Sequence, residues 1–238
     1  MMRNKLKSSY KSKFILLDNG HGFDTPGKRS PDGNFKEYSW CRKFVQLLKY
    51  ELEEWGYNVI RVVPEENDIS LSTRISRINK LCDTYGVSNC IVISIHNNAA
   101  GNGDKWYNAT GFEAYTSPGK TKSDKLAEFI CQEIELEGIT LRKDVSDGDL
   151  DKEEYFGILT KTYCPAVLTE NMFMDSVEDV KYLNSLDGLF TLLKAHVAGI
   201  RRYFEDYDGN HESWLENNFN WNSYWNNKFN KYNECNEE

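Results

Sequence analysis

Four widely separated side chains carry the chemistry in this sequence: His21, Glu37, His96 and Glu170. His21 stands between Gly20 and Gly22, just past the run Phe14-Ile15-Leu16-Leu17-Asp18, so its imidazole is unobstructed where a strand gives out. His96 closes the β-branched run Ile91-Val92-Ile93-Ser94-Ile95, and Pro165-Ala166-Val167-Leu168-Thr169 ends in the carboxylate of Glu170. Two histidines and one carboxylate are a common ligand set for catalytic zinc, which keeps a further position open for water. A second carboxylate outside that set then serves as base and acid for the water. Glu37 falls in the first turn of an expected helix, where the helix dipole favours its charge and it can point back toward the strand ends as an oxygen ligand. Asp18 and Asp24 compete for the same role. Strand alternation turns Asp18 toward bracing the ligands instead, and Glu37 is preferred.

These residues need a frame, and the hydrophobic pattern supplies one. Short apolar strands at Lys13–Asp18, Tyr57–Val63, Cys90–His96, Gly111–Thr116 and Ala166–Glu170 alternate with amphipathic helices. The helix over Glu37–Trp55 places Trp40, Phe44, Leu47, Leu48 and Leu52 on one face and stops at Gly56. Further helices are expected at Leu71–Tyr85, capped by Ser70, at Ser123–Glu137 and at Leu186–Phe204. The alternation predicts an α/β fold, a single domain with a twisted, mostly parallel sheet flanked by helices. Ligands of such sheets bind beyond the carboxyl ends of the strands, which is where His21, His96 and Glu170 fall.

Charge and composition narrow the function. The chain of 238 residues carries 29 Lys and Arg against 37 Asp and Glu, a net charge of −8, which argues against nucleic acid as a partner. No apolar run approaches the roughly 18 residues of a membrane span. The basic start, Met1 to Lys7, lacks the apolar segment and small-residue cleavage site of a signal peptide, so synthesis and retention in a cytoplasm are expected. Six cysteines, at 41, 82, 90, 131, 164 and 235, have neither zinc-finger nor disulfide spacing and read as buried free thiols. From Tyr207 onward Asn and aromatic residues dominate. That stretch reads as a loosely docked tail in preference to a sugar-stacking extension.

The sequence resembles the zinc-dependent N-acetylmuramoyl-L-alanine amidases with the phosphorylase/hydrolase-like α/β fold. The likeness rests on Leu17-Asp18-Asn19-Gly20-His21-Gly22, on Glu37, on Ser94-Ile95-His96-Asn97-Asn98-Ala99 and on Pro165-Ala166-Val167-Leu168-Thr169-Glu170-Asn171-Met172-Phe173. Weaker echoes are Leu71-Ser72-Thr73-Arg74 and Gly111-Phe112-Glu113-Ala114-Tyr115. The resemblance implies one Zn2+ held by His21, Glu37 and His96, with Glu170 activating water. It implies peptidoglycan as substrate, cut at the amide between N-acetylmuramic acid and L-alanine. Asn19 and Asn171 depart from the residues usual in the family and bear on loop shape and substrate preference. On this reading residues 1–12 are a basic extension, 13–206 the zinc amidase domain and 207–238 the Asn/aromatic-rich tail.

Rival readings are weaker. A zinc peptidase on a related fold needs an arginine placed to hold a substrate carboxylate, and a non-catalytic wall-binding module sits poorly with four intact chemical residues. The acidic loop Asp147–Glu154 opens like a calcium loop. It then fails, because Lys152 stands at the glycine position and Ile158 at the bidentate glutamate, so a solvated loop near the cleft is expected. Cys164, close in sequence to the Glu170 strand, reads as buried rather than nucleophilic. His196 and His211 are given no role. A wall hydrolase made without an export signal fits a phage lysin released through a separate pore.

Overall fold

The computed structural model describes residues 10, 12–146, 148–207 and 223–228. Six strands form one mixed sheet in the order β2-β1-β3-β6-β4-β5. They are β1 (Phe14–Asn19), β2 (Asn58–Arg61), β3 (Cys90–Asn98), β4 (Glu113–Thr116), β5 (Lys152–Glu153) and β6 (Ala166–Phe173). β2, β1, β3 and β6 run parallel, β4 is antiparallel to β6, and β5 runs parallel to β4. The expected α/β fold with a mostly parallel sheet is therefore present.

Strand alternation sorts the core into two layers. Ile15, Leu17, Ile91, Ile93 and Ile95 face one side, packed with Phe44 and Leu48 of α1 (Glu37–Glu54), Ile130 of α3 (Lys122–Leu136) and Val197 of α6 (Leu186–Tyr207). Leu16, Val92 and Leu168 face the other, against Ile78 of α2 (Leu71–Tyr85) and Ile158 of α4 (Gly157–Thr160). Burying a side chain of this kind stabilises by roughly 1.5–3 kcal/mol, so the two layers fix which residues reach each face of the strands. One more helix, α5 (Val177–Asn184), follows β6.

Local signals act as the sequence predicts. Ser70 Oγ accepts from the Thr73 N–H at the start of α2, and Thr121 with Asp124 forms a capping box on α3. The strands outrun their expected ends: β3 continues to Asn98 and β6 to Phe173, with a register shift between His96 and Asn98. Asn171 spans that irregularity. Its Nδ2 donates to the His96 carbonyl at 3.0 Å and to Thr169 Oγ1 at 3.1 Å, while its own carbonyl accepts from Asn97 Nδ2 at 2.7 Å.

Described residues toward both ends of the chain pack on the domain. Tyr10, inside the expected basic extension, is buried and stacks on Tyr57 at 4.5 Å. Residues 223–228 are helical, and Trp225 is buried against the core formed by α1 and α6. Tyr224 Oη donates to Glu51 Oε2 at 2.7 Å and Lys228 Nζ to Glu51 Oε1 at 2.9 Å. This part of the expected tail is firmly seated; His211 and the Asn-rich run up to residue 222 lie outside the described residues.

Candidate active site

β1 and β3 are neighbours, so the segments that follow them meet at one edge of the sheet. Gly20 N–H donates to the Ile95 carbonyl at 2.9 Å, extending the pairing to the threshold of His21. His21 adopts φ 55°, a left-handed conformation uncommon outside glycine. Its two glycine neighbours let other groups approach closely on either side. A Cβ on Gly20 would lie 2.6 Å from His96 Nδ1, and one on Gly22 would lie 2.0 Å from the Asp68 backbone nitrogen.

Glu37 enters from the first turn of α1 and is 1% exposed. Its Oε1 accepts from the Asn97 N–H at 3.1 Å and lies 3.1 Å from His96 Nδ1 and 3.5 Å from His21 Nε2. One ligand atom from each of His21, Glu37 and His96 lies within 4.8 Å of the other two. The three are close enough together to hold a divalent ion. Glu37 Oε2 is buried with no hydrogen-bond partner among the described residues. A carboxylate with one oxygen beside two imidazoles and the other without a partner is a donor set a metal would complete.

Glu170 arrives through sheet register, since it pairs with His96 across β3 and β6. Its Oε2 is likewise buried without a partner. Burial, with Glu37 and Glu113 nearby, pushes the Glu170 carboxyl up from 4.5 to about 8 despite the opposing charges of His96 and Lys28. Burial lowers His21 from 6.5 to about 4, so this imidazole is neutral at pH 7. Burial also works against a charged His96, yet its hydrogen bond to Glu37 and the charges of Glu37, Glu170 and Asp18 together outweigh it and raise the value. Glu37 shows the converse: burial works upward, but His96, His21 and Lys28 together hold it below its ordinary value.

Asp18 stands one step behind. It accepts from Arg74 Nη1 at 2.8 Å and Ser94 Oγ at 2.7 Å and is 2% exposed, a brace between β1, β3 and α2. Asp24 is turned to the Asp68 N–H at 2.7 Å and is not in the triad. His196 is a satisfied core histidine, with Leu192 carbonyl at 2.8 Å and Thr169 Oγ1 at 3.2 Å. Cys164 is buried beside Cys82 and Cys90. It precedes β6, at the opposite end of the strand from Glu170, so its closeness to the site in sequence is not closeness in space. All five described cysteines are free and buried.

Two groups escaped the sequence. Glu113 pairs with Glu170 across the antiparallel β4 and β6, and it is 3% exposed. Arg142 Nε at 2.6 Å, Lys152 Nζ at 2.9 Å, Tyr115 Oη at 2.6 Å and Asn98 Nδ2 at 2.7 Å all donate to its carboxylate. The acidic loop is thus only partly solvated. Lys152 enters this cluster, and Asp151 is buried, accepting from Thr116 Oγ1 at 2.7 Å. Lys28 is the second missed group; its charge acts on His21, Glu37 and Glu170 alike.

A mostly parallel α/β frame that brings His21, Glu37 and His96 together, with Glu170 beside them, suits the class of metal-assisted hydrolases. The sequence family described as N-acetylmuramoyl-L-alanine amidase matches residues 15–202. The chain belongs to this family, and its activity is cleavage of the N-acetylmuramoyl-L-alanine bond of peptidoglycan. The N-acetylmuramoyl-L-alanine amidase CwlM of Bacillus licheniformis is 28% identical over 191 residues, covering 80% of this chain and 68% of that protein. The endolysin of Bacillus phage SPP1 is also 28% identical, over 79% of this chain and 65% of its own length. Among solved structures, the N-acetylmuramoyl-L-alanine amidase of Clostridium difficile 630 superposes with TM-score 0.70 at 23% identity, over 82% of this chain and 98% of that one, a likeness of fold.

Proposed function

We propose that His21, Glu37 and His96 hold one zinc ion, and that Glu170 carries the proton in cleavage of the amide between N-acetylmuramic acid and L-alanine. The observation that carries this reading is the pair of buried, unpartnered carboxylate oxygens, Glu37 Oε2 inside the triad and Glu170 Oε2 beside it. Bound zinc supplies a Lewis acid that polarises the scissile carbonyl and makes water acidic at neutral pH.

The remaining work falls to side chains of the chain itself. His21, neutral at pH 7, offers its lone pair without first losing a proton. Glu37 orients His96 through their 3.1 Å contact, and the Asn97 N–H fixes Glu37 in turn. Glu170 takes a proton from the attacking water at its carboxylate and returns it to the departing alanine nitrogen. Its raised value of about 8 suits both halves of that transfer near neutrality. Catalysis is assigned to residues 13–206, in keeping with the family match over 15–202.

Similarity to a phage endolysin supports a further reading, that the chain is made in a host cytoplasm and meets the wall after release. Among the described residues no helix is long and apolar enough to cross a membrane. The test measures metal content and wall digestion on one sample, for wild type and Glu170→Ala. About one zinc per chain in both, with new N-terminal L-alanine released by wild type alone, is expected. Zinc bound without alanine release would remove the substrate assignment, and failure to take up zinc would remove the triad.

A further inference from the structure

The loop from β1 to α1 builds a cavity of about 370 Å³ that sequence reading left without a purpose. Arg29 and Lys36 face each other as an antiparallel bridge. The turn between them is locked by Asp32, which accepts from Ser30 Oγ at 2.5 Å and the Asn34 N–H at 3.1 Å. Lys28, Arg29 and Lys36 consequently line one cavity, with Phe23 and Tyr38 among its other walls. Asp24 is the one acid lining it, and it is engaged with the Asp68 N–H. Lys28, Arg29 and Lys36 form no ion pair among the described residues. Three unpaired cations around one hollow are conspicuous in a chain of net charge −8.

The cavity adjoins the triad. The Lys28 carbonyl accepts from the Glu37 N–H at 3.1 Å, and the Lys28 side chain is half-buried. A second cavity of about 330 Å³ reaches His21 and His96 and is lined by Leu71, Phe156 and Leu168 as well as by Asp18, Asp68 and Arg74. The triad therefore has a hollow with unpaired cations next to Glu37 and a second cavity at its two histidines, whose Arg74 is neutralised by Asp18 and Asp68. A substrate cut at a muramoyl-alanine amide has the same asymmetry, because the glycan beyond the carbonyl is neutral while the peptide beyond the nitrogen carries carboxylates. The second stem residue, glutamate linked through its γ-carboxyl, leaves its α-carboxyl either free or amidated. About 3.5 Å of extended chain per residue puts that group within about two residues of the cut bond.

We propose that the Lys28, Arg29 and Lys36 cavity is the stem-peptide subsite and that it selects substrates whose second residue keeps a free α-carboxylate. This inference rests on the amidase reading and adds a specificity to it. Half-buried Lys28 is less screened than exposed Arg29 and Lys36, so it is the principal reader of the carboxylate.

Two synthetic ligands test it on the full chain, N-acetylmuramoyl-L-Ala-D-Glu with the γ-carboxyl blocked as its methylamide and the α-carboxyl free, and the same compound with the α-carboxyl amidated. Calorimetry gives their affinities and release of the alanine amine gives turnover. Wild type is expected to bind the free acid about tenfold more tightly, through KM rather than kcat, with the preference shrinking at high salt. Lys28→Gln erases most of the preference and Lys28→Arg keeps it, while melting curves establish that both fold. Equal affinity of wild type for the two ligands overturns the subsite, as does a preference that survives Lys28→Gln. Discriminating affinity without turnover upholds the subsite and removes the amidase reading instead, so the two failures are told apart.

Discussion

Replacing Glu170 by Gln in metal-free protein probes the electrostatics of the site without relying on catalysis. The folded carboxyl titrates near 8 against an ordinary 4.5, chiefly because it is buried. Between those values the folded chain keeps a proton that the unfolded chain has released. Stability contributed by this group is therefore complete below about pH 4.5 and is lost as pH rises toward 8. The gap corresponds to about 5 kcal/mol at 1.36 kcal/mol per pH unit, and partial exposure of the side chain reduces that to about 2–3 kcal/mol. Gln keeps the shape and removes the titration, so groups that do not interact with Glu170 cancel in the comparison. Urea unfolding of wild type and Glu170→Gln in chelator, at pH 5, 7 and 9, is the assay. Relative to the variant, wild type is expected to lose about 2–3 kcal/mol from pH 5 to pH 9. A difference that is flat with pH, or that favours wild type as pH rises, refutes the account of Glu170 as a buried carboxyl holding a proton.

Zinc binding should release a proton from His96, whose value is raised by Glu37, so affinity falls as pH drops; calorimetry in buffers of different ionisation heat checks this through the proton count. Gly20→Ala drives a methyl to within 2.6 Å of His96 Nδ1 and should weaken metal affinity by about 10- to 100-fold with the circular dichroism spectrum preserved; equilibrium dialysis gives the number. Trp225→Ala should cost about 3 kcal/mol in denaturant unfolding while leaving turnover at the distant triad unaltered, because Trp225 packs against the core and not the site.

What could be read from residues alone followed the range of the signal. β1, β3 and β6 are continuous apolar runs, and α1 has a clear helical period, so His21, Glu37, His96 and Glu170 could be placed at element ends before any contact was known. Steric detail was not legible: glycines on both sides of His21 suggest only an unobstructed imidazole, not that one meets the His96 ring and the other the backbone at Asp68. Groups fixed by pairing between distant strands were invisible. Glu113 meets Glu170 only because β4 runs antiparallel, and β5, at two residues, is too short to show a period. Lys152 and Asp151, expected in a solvated loop, turn inward for the same reason. The cationic cavity depends on the Arg29–Lys36 bridge, a register no composition reveals.

The register that sets His96 against Glu170 also governs when this chain becomes active during its own synthesis. The triad belongs to the first hundred residues, but the proton carrier belongs to a strand that must slot beside β3 after everything from Ala99 to Pro165 has been threaded past it. Non-local pairing of this kind closes late in folding. On the roles proposed above, a ribosome-bound or prematurely ended chain has His21, Glu37 and His96 but lacks Glu170, and a single proteolytic cut between the two strands followed by loss of β6 silences the molecule. Competence arrives with the completed sheet and departs with it.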